Sequence, residues 1–344
     1  MGTARLGRSE EPAPAAADQV AIRAIVQDRY GTAPEDVLRL EQIATPGIAA
    51  DELLVQVRAA GVDRGTWHLM AGQPYVMRIL GFGFRGPKNR VPGLDVAGTV
   101  TAAGAAVTRF RVGDEVFGIA RGSFAEYAAA REDKLTSKPA RLSSEQAAAV
   151  AVSGLAAIQG LRDAGRIQAG QKVLIIGASG GVGTYAVQLA KAFGAEVTGV
   201  CSTAKVDLVR SIGADHVIDY TREDFTGGRR RYDLILDIGG NSHLSRLRRA
   251  LTAKGTLVIA GGEGGKWTGV GRQLRGLMLS LLVPQRLTTY VSRHRQADLD
   301  ALSQLTEAGQ ITPVIDRTYP LSEASAAVRR LAEGHARGKI VITI

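Results

Sequence analysis

The run Gly177-Ala178-Ser179-Gly180-Gly181-Val182-Gly183 follows an apolar stretch, Lys172 to Ile176, and leads directly into TYAVQLAKAFG, which has the spacing of a helix. A turn this tight needs residues without a Cβ, so that backbone N–H groups can approach a pyrophosphate at the positive end of the helix. Glycines alone are weak evidence, because an ordinary strand-to-helix turn is also glycine-rich. Here they follow a strand, open a helix and start a βαβ unit, and that context predicts a dinucleotide site.

The end of the next strand bears on which dinucleotide. A site that selects NAD places an Asp or Glu about 20 residues after the first glycine, where it holds the ribose hydroxyls. This chain has Val200-Cys201-Ser202-Thr203 there, with no carboxylate. Without an acid the repulsion against a 2′-phosphate is gone, while Ser202, Thr203 and Lys205 offer hydroxyl donors and a cation. The expectation is NADPH. Taken singly, Cys201 also reads as a small buried strand residue and Lys205 as a solvated one, but neither reading accounts for the missing acid.

The surrounding elements have the rhythm to position such a site. Ser144 to Leu161 reads as a helix with Ser143 or Ser144 as N-cap. After the glycine turn come the strand EVTGVCS, the helix AKVDLVRSIG, the strands HVIDY and DLILDIG, the helix NSHLSRLRRALTAKG and the strand TLVIAGG. This alternation predicts a doubly wound parallel sheet over 145–287. RLTTYVS is a candidate sixth strand. ADLDALSQLTEAG and EASAAVRRLAEG are amphipathic helices ending at Gly309 and Gly334, and the final GKIVITI is a strand whose expected partner is the N-terminal part of the chain.

Over 20–144 the text changes to short β-like runs, AIRAIVQ, ELLVQVRAAGV, DVAGTVTAAG, DEVFGIA and SFAEYAAA, which predict a mostly antiparallel β domain. The stretch from Trp67 to Pro92 reads as a loop that covers a site. Residues 1–19, rich in Pro, Ala and Glu, are expected to be a disordered tail.

With 344 residues, 45% hydrophobic and 22% charged, the chain has material for about two globular domains. Its single cysteine, Cys201, excludes an intramolecular disulfide and a thiolate-rich zinc site. The start has no apolar core of signal-peptide length and the apolar run Leu277 to Val283 is too short to span a bilayer, so the expected compartment is the cytoplasm. The net charge of +10 raises the question of nucleic acid. The basic residues are spread singly apart from Arg229-Arg230-Arg231, which reads as a solvated surface, and a nucleic-acid partner is not expected.

Together these segments resemble the medium-chain dehydrogenase/reductase superfamily, specifically its zinc-independent quinone oxidoreductase branch. The resemblance covers about Ile22 to Ile344 and is carried by AAGVDRGTWHLMAGQPY, VPGLDVAGTV, FAEYAAA, VLIIGASGGVGTYAVQLAKAFGAEVTGVCST, LVRSIGADHVIDY and GHARGKIVITI. It implies a Rossmann domain inserted into a GroES-like domain that 288–344 complete, and a homodimer formed through the nucleotide-binding domains. It also implies that Lys205 and Tyr220 hold the 2′-phosphate, that Ser153 lines the cofactor, and that Gly261-Gly262 sit near the nicotinamide. The Gly338-Lys339 segment closes on the cofactor in relatives, which makes Lys339 a further phosphate candidate.

The zinc-dependent relatives place a Cys at Asp63 or its neighbour, and a His-Glu pair where this chain has Leu94-Asp95. A leucine cannot bind a metal, so no metal is expected. The resemblance then implies hydride transfer from NADPH to a quinone or enone, with Asp63, His68 and Tyr75 as candidate proton donors. Each has a plainer reading: Asp63 as a helix cap, His68 as a packed or solvated side chain, Tyr75 as loop filling. Alternatives are an NADP-dependent alcohol, aldehyde or enoyl reductase, and an NADPH-binding sensor or RNA-binding protein using Arg229 to Arg231, Arg246, Arg248 and Arg249.

Overall fold

The computed structural model describes residues 20–344 other than 77, 80–82, 229, 241 and 262–269. The expected tail, Gly262 and Arg229 therefore lie outside the described residues. Strands β1 (Ala21–Val26) and β2 (Arg39–Ala44) pair antiparallel as a separate ribbon. The runs that follow give β3 (Glu52–Val62), β4 (Asp95–Ala103), β5 (Glu115–Ile119), β6 (Tyr127–Arg131) and β7 (Leu135–Ser137), paired antiparallel around the long β3 and β4. Their inward residues, among them Leu53, Val55, Val96, Val116 and Leu135, share one buried core.

The middle of the chain supplies β8 (Lys172–Ile176), β9 (Glu196–Cys201), β10 (His216–Asp219), β11 (Tyr232–Asp237), β12 (Leu251–Ile259) and β13 (Arg286–Thr289). They form one six-stranded parallel sheet in the order β10-β9-β8-β11-β12-β13. Helices cover both faces, so Val173, Leu174 and Ile175 of β8 are all buried, as in continuous apolar strands of this kind. The order reverses between β8 and β11, and the crevice outside the carboxyl ends of strands at such a reversal is where an open α/β sheet takes a ligand. The chain then returns to the first sheet: β14 (Ile315–Pro320) pairs parallel with β15 (Lys339–Thr343), and β15 pairs antiparallel with β3. This is a Rossmann sheet carried inside a GroES-like domain, an α/β architecture.

Three expectations need correction. The helix expected over Ser144 to Leu161 is broken into Ser144–Ala148 and Ala151–Ile158, then widens into a π turn at Gln159–Ala164. Ser143 is the cap of the first piece, in a reciprocal capping box with Gln146. The break has a definite cause: the Val152 N–H donates to the Asp95 carboxylate at 2.7 Å instead of continuing the helical ladder. The helix expected through Gly255 is confined to Leu244–Ala250, because Leu251 already pairs with Tyr232 and the ladder shifts register before resuming at Leu234 and Thr256. The expected boundary at 287 falls inside β13, whose last residue to pair is Thr289.

Candidate functional site

The glycine loop has the geometry of an anion cradle. Gly177 has φ +86°, a conformation that side chains resist, and a Cβ on Gly183 would lie 2.0 Å from the Gly177 carbonyl oxygen. Gly183 thus lets the helix Gly181–Ala192 sit close against β8, while Val182 packs on the core. The N-cap of that helix is Gly180, and no side chain caps it, which leaves the first N–H groups directed outward. Gly177, Ser179, Gly180 and Gly181 line a cavity of about 830 Å³. The C-terminal segment also borders it, where Gly338 bridges to Gly180 and its N–H donates to the Ser179 carbonyl at 2.9 Å.

At the carboxyl end of β9 the same cavity is bordered by Ser202, Lys205 and Tyr220, the last with more than half its surface exposed. Lys205 Nζ donates to the Ala336 carbonyl at 2.9 Å, and burial, aided by Arg337, pulls its pKa down. Thr203 departs from the expected role. Its hydroxyl donates to Asp219 at 2.5 Å and lies 3.0 Å from the hydroxyl of Thr221, which lines the cavity while Thr203 does not.

Asp219 is the residue that sequence reasoning missed. It is the register partner of Cys201 across β9 and β10, so a carboxylate does stand beside the expected gap. The Thr203 and Thr221 hydroxyls and the Thr221 N–H, at 2.5, 2.7 and 3.0 Å, occupy its oxygens and hold its pKa below the ordinary value. The Cys201 thiol is buried, and burial with Asp219 nearby pushes it up to about 11.

Toward the other end of the loop, Ser153, Gly181 and Lys339 converge. A Cβ on Gly181 would stand 3.1 Å from Ser153 Oγ and 3.2 Å from Lys339 Cδ. The Lys339 ammonium, offered above as a phosphate ligand, is instead 2.7 Å from Asp95 Oδ2, and both side chains are buried. Gly261 lies beyond β12, with its N–H on the Asp237 carbonyl at 3.1 Å. Its Cβ position would be 2.0 Å from the Ile238 carbonyl, so only glycine fits. Asp237 is in turn held by the Gly240 N–H at 3.0 Å and by Arg272.

The three candidate proton donors occupy one short region. Asp63 is the N-cap of the helix Arg64–Ala71, its Oδ1 accepting from the Thr66 N–H at 2.9 Å, as its plainer reading expects. Its Oδ2 is buried without a hydrogen-bond partner. His68 Nδ1 lies 3.0 Å from the Gln73 carbonyl oxygen, and burial, with Arg64 nearby, lowers its pKa. In a neutral imidazole that bond uses the ring's one N–H and leaves Nε2 an acceptor. The Tyr75 ring lies under the Arg78 guanidinium at 4.8 Å, and Arg78 also donates to the Gly72 carbonyl at 2.8 Å. His294, not anticipated from sequence, is half-buried and close enough to Asp63 to feel its charge, though desolvation still lowers its pKa.

The Trp67 to Pro92 stretch begins as that helix, and its second half, from Pro87 to Pro92, walls a largely apolar cavity of about 660 Å³ against Thr66, Leu69 and Met70. This cavity shares no lining residue with the glycine-loop cavity, and Asp63, His68 and Tyr75 do not line it. Among the described residues no group of three or more His, Cys, Asp or Glu is placed to hold a metal ion. Arg230 and Arg246, part of the basic surface, lie against Glu196 and Asp224.

Two family profiles match the chain: "Alcohol dehydrogenase GroES-like domain" over 49–140 and "Zinc-binding dehydrogenase" over 212–342. The quinone-oxidoreductase homolog of Spinacia oleracea, named as chloroplastic, is 31% identical over 93% of this chain and 98% of its own length. The chain belongs to the medium-chain dehydrogenase/reductase superfamily, in its quinone oxidoreductase-like branch. Another relative in this superfamily, the 2-methylene-furan-3-one reductase of Solanum lycopersicum, is 32% identical over 91% of this chain and 76% of its own length. The quinone oxidoreductase structure from Coxiella burnetii superposes with a TM-score of 0.84 at 28% identity, covering 94% of this chain and all of that one. As a medium-chain dehydrogenase/reductase the chain is an oxidoreductase that uses a nicotinamide cofactor and a small-molecule substrate. Among the described residues no helix is long and apolar enough to cross a membrane.

Proposed function

We propose that this protein is an NADPH-dependent, zinc-independent reductase of quinones or enones. The observation that carries the choice of NADPH is the end of β9, where Ser202, Lys205 and Tyr220 border the cavity while Asp219, the acid paired in register with Cys201, is tied to Thr203 and Thr221; of the acids that line the cavity farther along, Asp224 is held by Thr226 and Arg246. A carboxylate already saturated with donors is a poor ligand for ribose hydroxyls, and a lysine with a neighbouring phenol suits a phosphate. The uncapped helix N-terminus takes the pyrophosphate, and Ser153 and Gly261 border the nicotinamide end. A reduced nicotinamide bound there supplies the hydride.

The chain's own work is to hold that ring against an electrophilic carbon and keep water away. A quinone reduced by hydride becomes a stabilised phenolate, so no strong Lewis acid is needed, in keeping with Asp63 or its neighbour, and Leu94, at the positions where zinc-dependent relatives carry ligands. Asp63, His68 and Tyr75 stay the candidate donors, with the His68 N–H on Gln73, Asp63 serving as a cap and Tyr75 under Arg78. The name of the tomato relative, whose substrate is an exocyclic enone, supports keeping enones beside quinones.

The protein is further proposed to be a homodimer through its nucleotide-binding part. The helix Gly271–Ser280 and the turn after it expose Leu274, Met278, Leu281 and Leu282, next to the edge strand β13. An apolar patch beside an open sheet edge is a typical subunit contact. Turnover of NADPH with a panel of quinones and a panel of α,β-unsaturated ketones tests the reaction; inactivity on both contradicts it.

A further inference from the structure

Asp95 joins three parts of the chain at one buried point. It lies at the start of β4, its Oδ2 takes the Lys339 ammonium of β15 at 2.7 Å, and its Oδ1 takes the Val152 N–H at 2.7 Å. Val152 is the second residue of the helix Ala151–Ile158 and immediately precedes Ser153. The carboxylate therefore caps, from a different domain, a helix end that no side chain of its own caps. The surroundings are shaped to admit it: a Cβ on Gly61 would lie 2.6 Å from Asp95 Oδ2 and 2.4 Å from the Ala148 carbonyl oxygen. The carbonyl of Ala149, in the break between the two helices, accepts from the buried Tyr185 hydroxyl at 3.0 Å.

We propose that the Asp95–Lys339 pair is a positioning device: it fixes Ser153 and the Lys339 stem against Gly181, and so sets where the nicotinamide half of the cofactor rests. Lys339 acts here through Asp95 and not as a phosphate ligand. This rests on the cofactor reading above. A buried ion pair contributes little net stability compared with apolar residues of similar volume, so fixing a unique geometry is the more natural use of one. Neither Asp95 nor Lys339 lines the cavity that Lys205 and Tyr220 border.

The test compares two nucleotides on the full-length protein. Asp95→Asn with Lys339→Met removes both charges together, so that neither is left buried alone. Affinities for NADPH and for 2′-phospho-ADP-ribose, which lacks the nicotinamide, are measured by calorimetry alongside the shift in NADPH fluorescence on binding. The expected result is NADPH weakened by about tenfold with its fluorescence shift reduced, while the fragment stays within about twofold, since only the displaced half is affected. Asp95→Asn alone keeps the acceptor for Val152 but leaves the Lys339 ammonium buried without its counter-charge, so it moves the same ratio in the same direction by at least as much. Equal loss of both ligands would mean that Lys339 holds phosphate, and an unchanged ratio in both variants would mean that the pair is only structural; either overturns the inference. A wild-type protein that binds neither nucleotide overturns the cofactor reading itself, and the positioning role with it.

Discussion

Lys205 Nζ and the carbonyl oxygen of Ala336 are 2.9 Å apart, across the mouth of the cavity that the glycine loop opens. The cation proposed for the 2′-phosphate is thus already fastened to the C-terminal segment, and that segment is itself fastened to the loop through Gly338 and Ser179. One side chain thus connects the proposed phosphate site to the C-terminal segment.

Replacing Lys205 with alanine removes a charge-assisted bond to the phosphate, of the order of 1.5–3 kcal/mol. NADPH affinity is expected to fall about tenfold to a hundredfold, and NADH affinity to change little. Parallel titrations of the two cofactors on the variant measure this, and equal weakening of both would show that Lys205 supports the segment without reading the phosphate.

Gly183→Ala places a methyl group 2.0 Å from the Gly177 carbonyl oxygen. The helix must move off β8, at a cost of about 1–3 kcal/mol. Thermal unfolding should show that loss together with weaker binding of both cofactors. Gly47→Ala, with nothing within 4 Å of the new methyl, serves as the control and should be neutral.

Acid stability follows from two histidines. Burial lowers the pKa of both His68 and His294 below the ordinary 6.5. Between the lowered value and 6.5 the unfolded chain binds more protons than the folded one, so stability rises with pH through that window. The contribution is complete above about 6.5 and is lost as pH falls through the native value. The unfolding midpoint should therefore drop between pH 7.5 and 5.5, and His294→Gln should drop less. Carboxylates such as Asp215, held below 3.8, act at more acidic pH; burial pushes Asp95 up instead, so the difference between wild type and His294→Gln is the readout.

The subunit contact is tested by charge. Leu281→Glu, at a side chain 79% exposed, should leave the fold intact and shift the sedimentation mass from dimer to monomer. A wild-type protein that sediments as a monomer would remove the dimer from the account.

Much of this arrangement could be read along the chain because it rests on local signals. The glycine loop, the alternation of apolar strands with helices, and the Gly309 and Gly334 helix ends are each written in consecutive residues. The terminal strand GKIVITI was expected to find a partner in the N-terminal part, and β15 pairs with β3 there. What local pattern does not carry is contact between distant segments. Nothing near Thr203 shows that its hydroxyl will meet Asp219, 16 residues on, once β9 and β10 pair in register. Lys339 reads as a phosphate ligand until the fold brings Asp95, 244 residues away, to its ammonium. The break after Ala148 is equally invisible, since the carboxylate that replaces the helical bond comes from β4.

The end of β9 is proposed to be built for a 2′-phosphate. Calorimetric titration of the cofactor-free protein with NADPH and NADH tests it most directly. NADPH is expected to bind clearly more tightly, with the preference lost in Lys205→Ala; equal affinity, or tighter binding of NADH, would rule out a 2′-phosphate site.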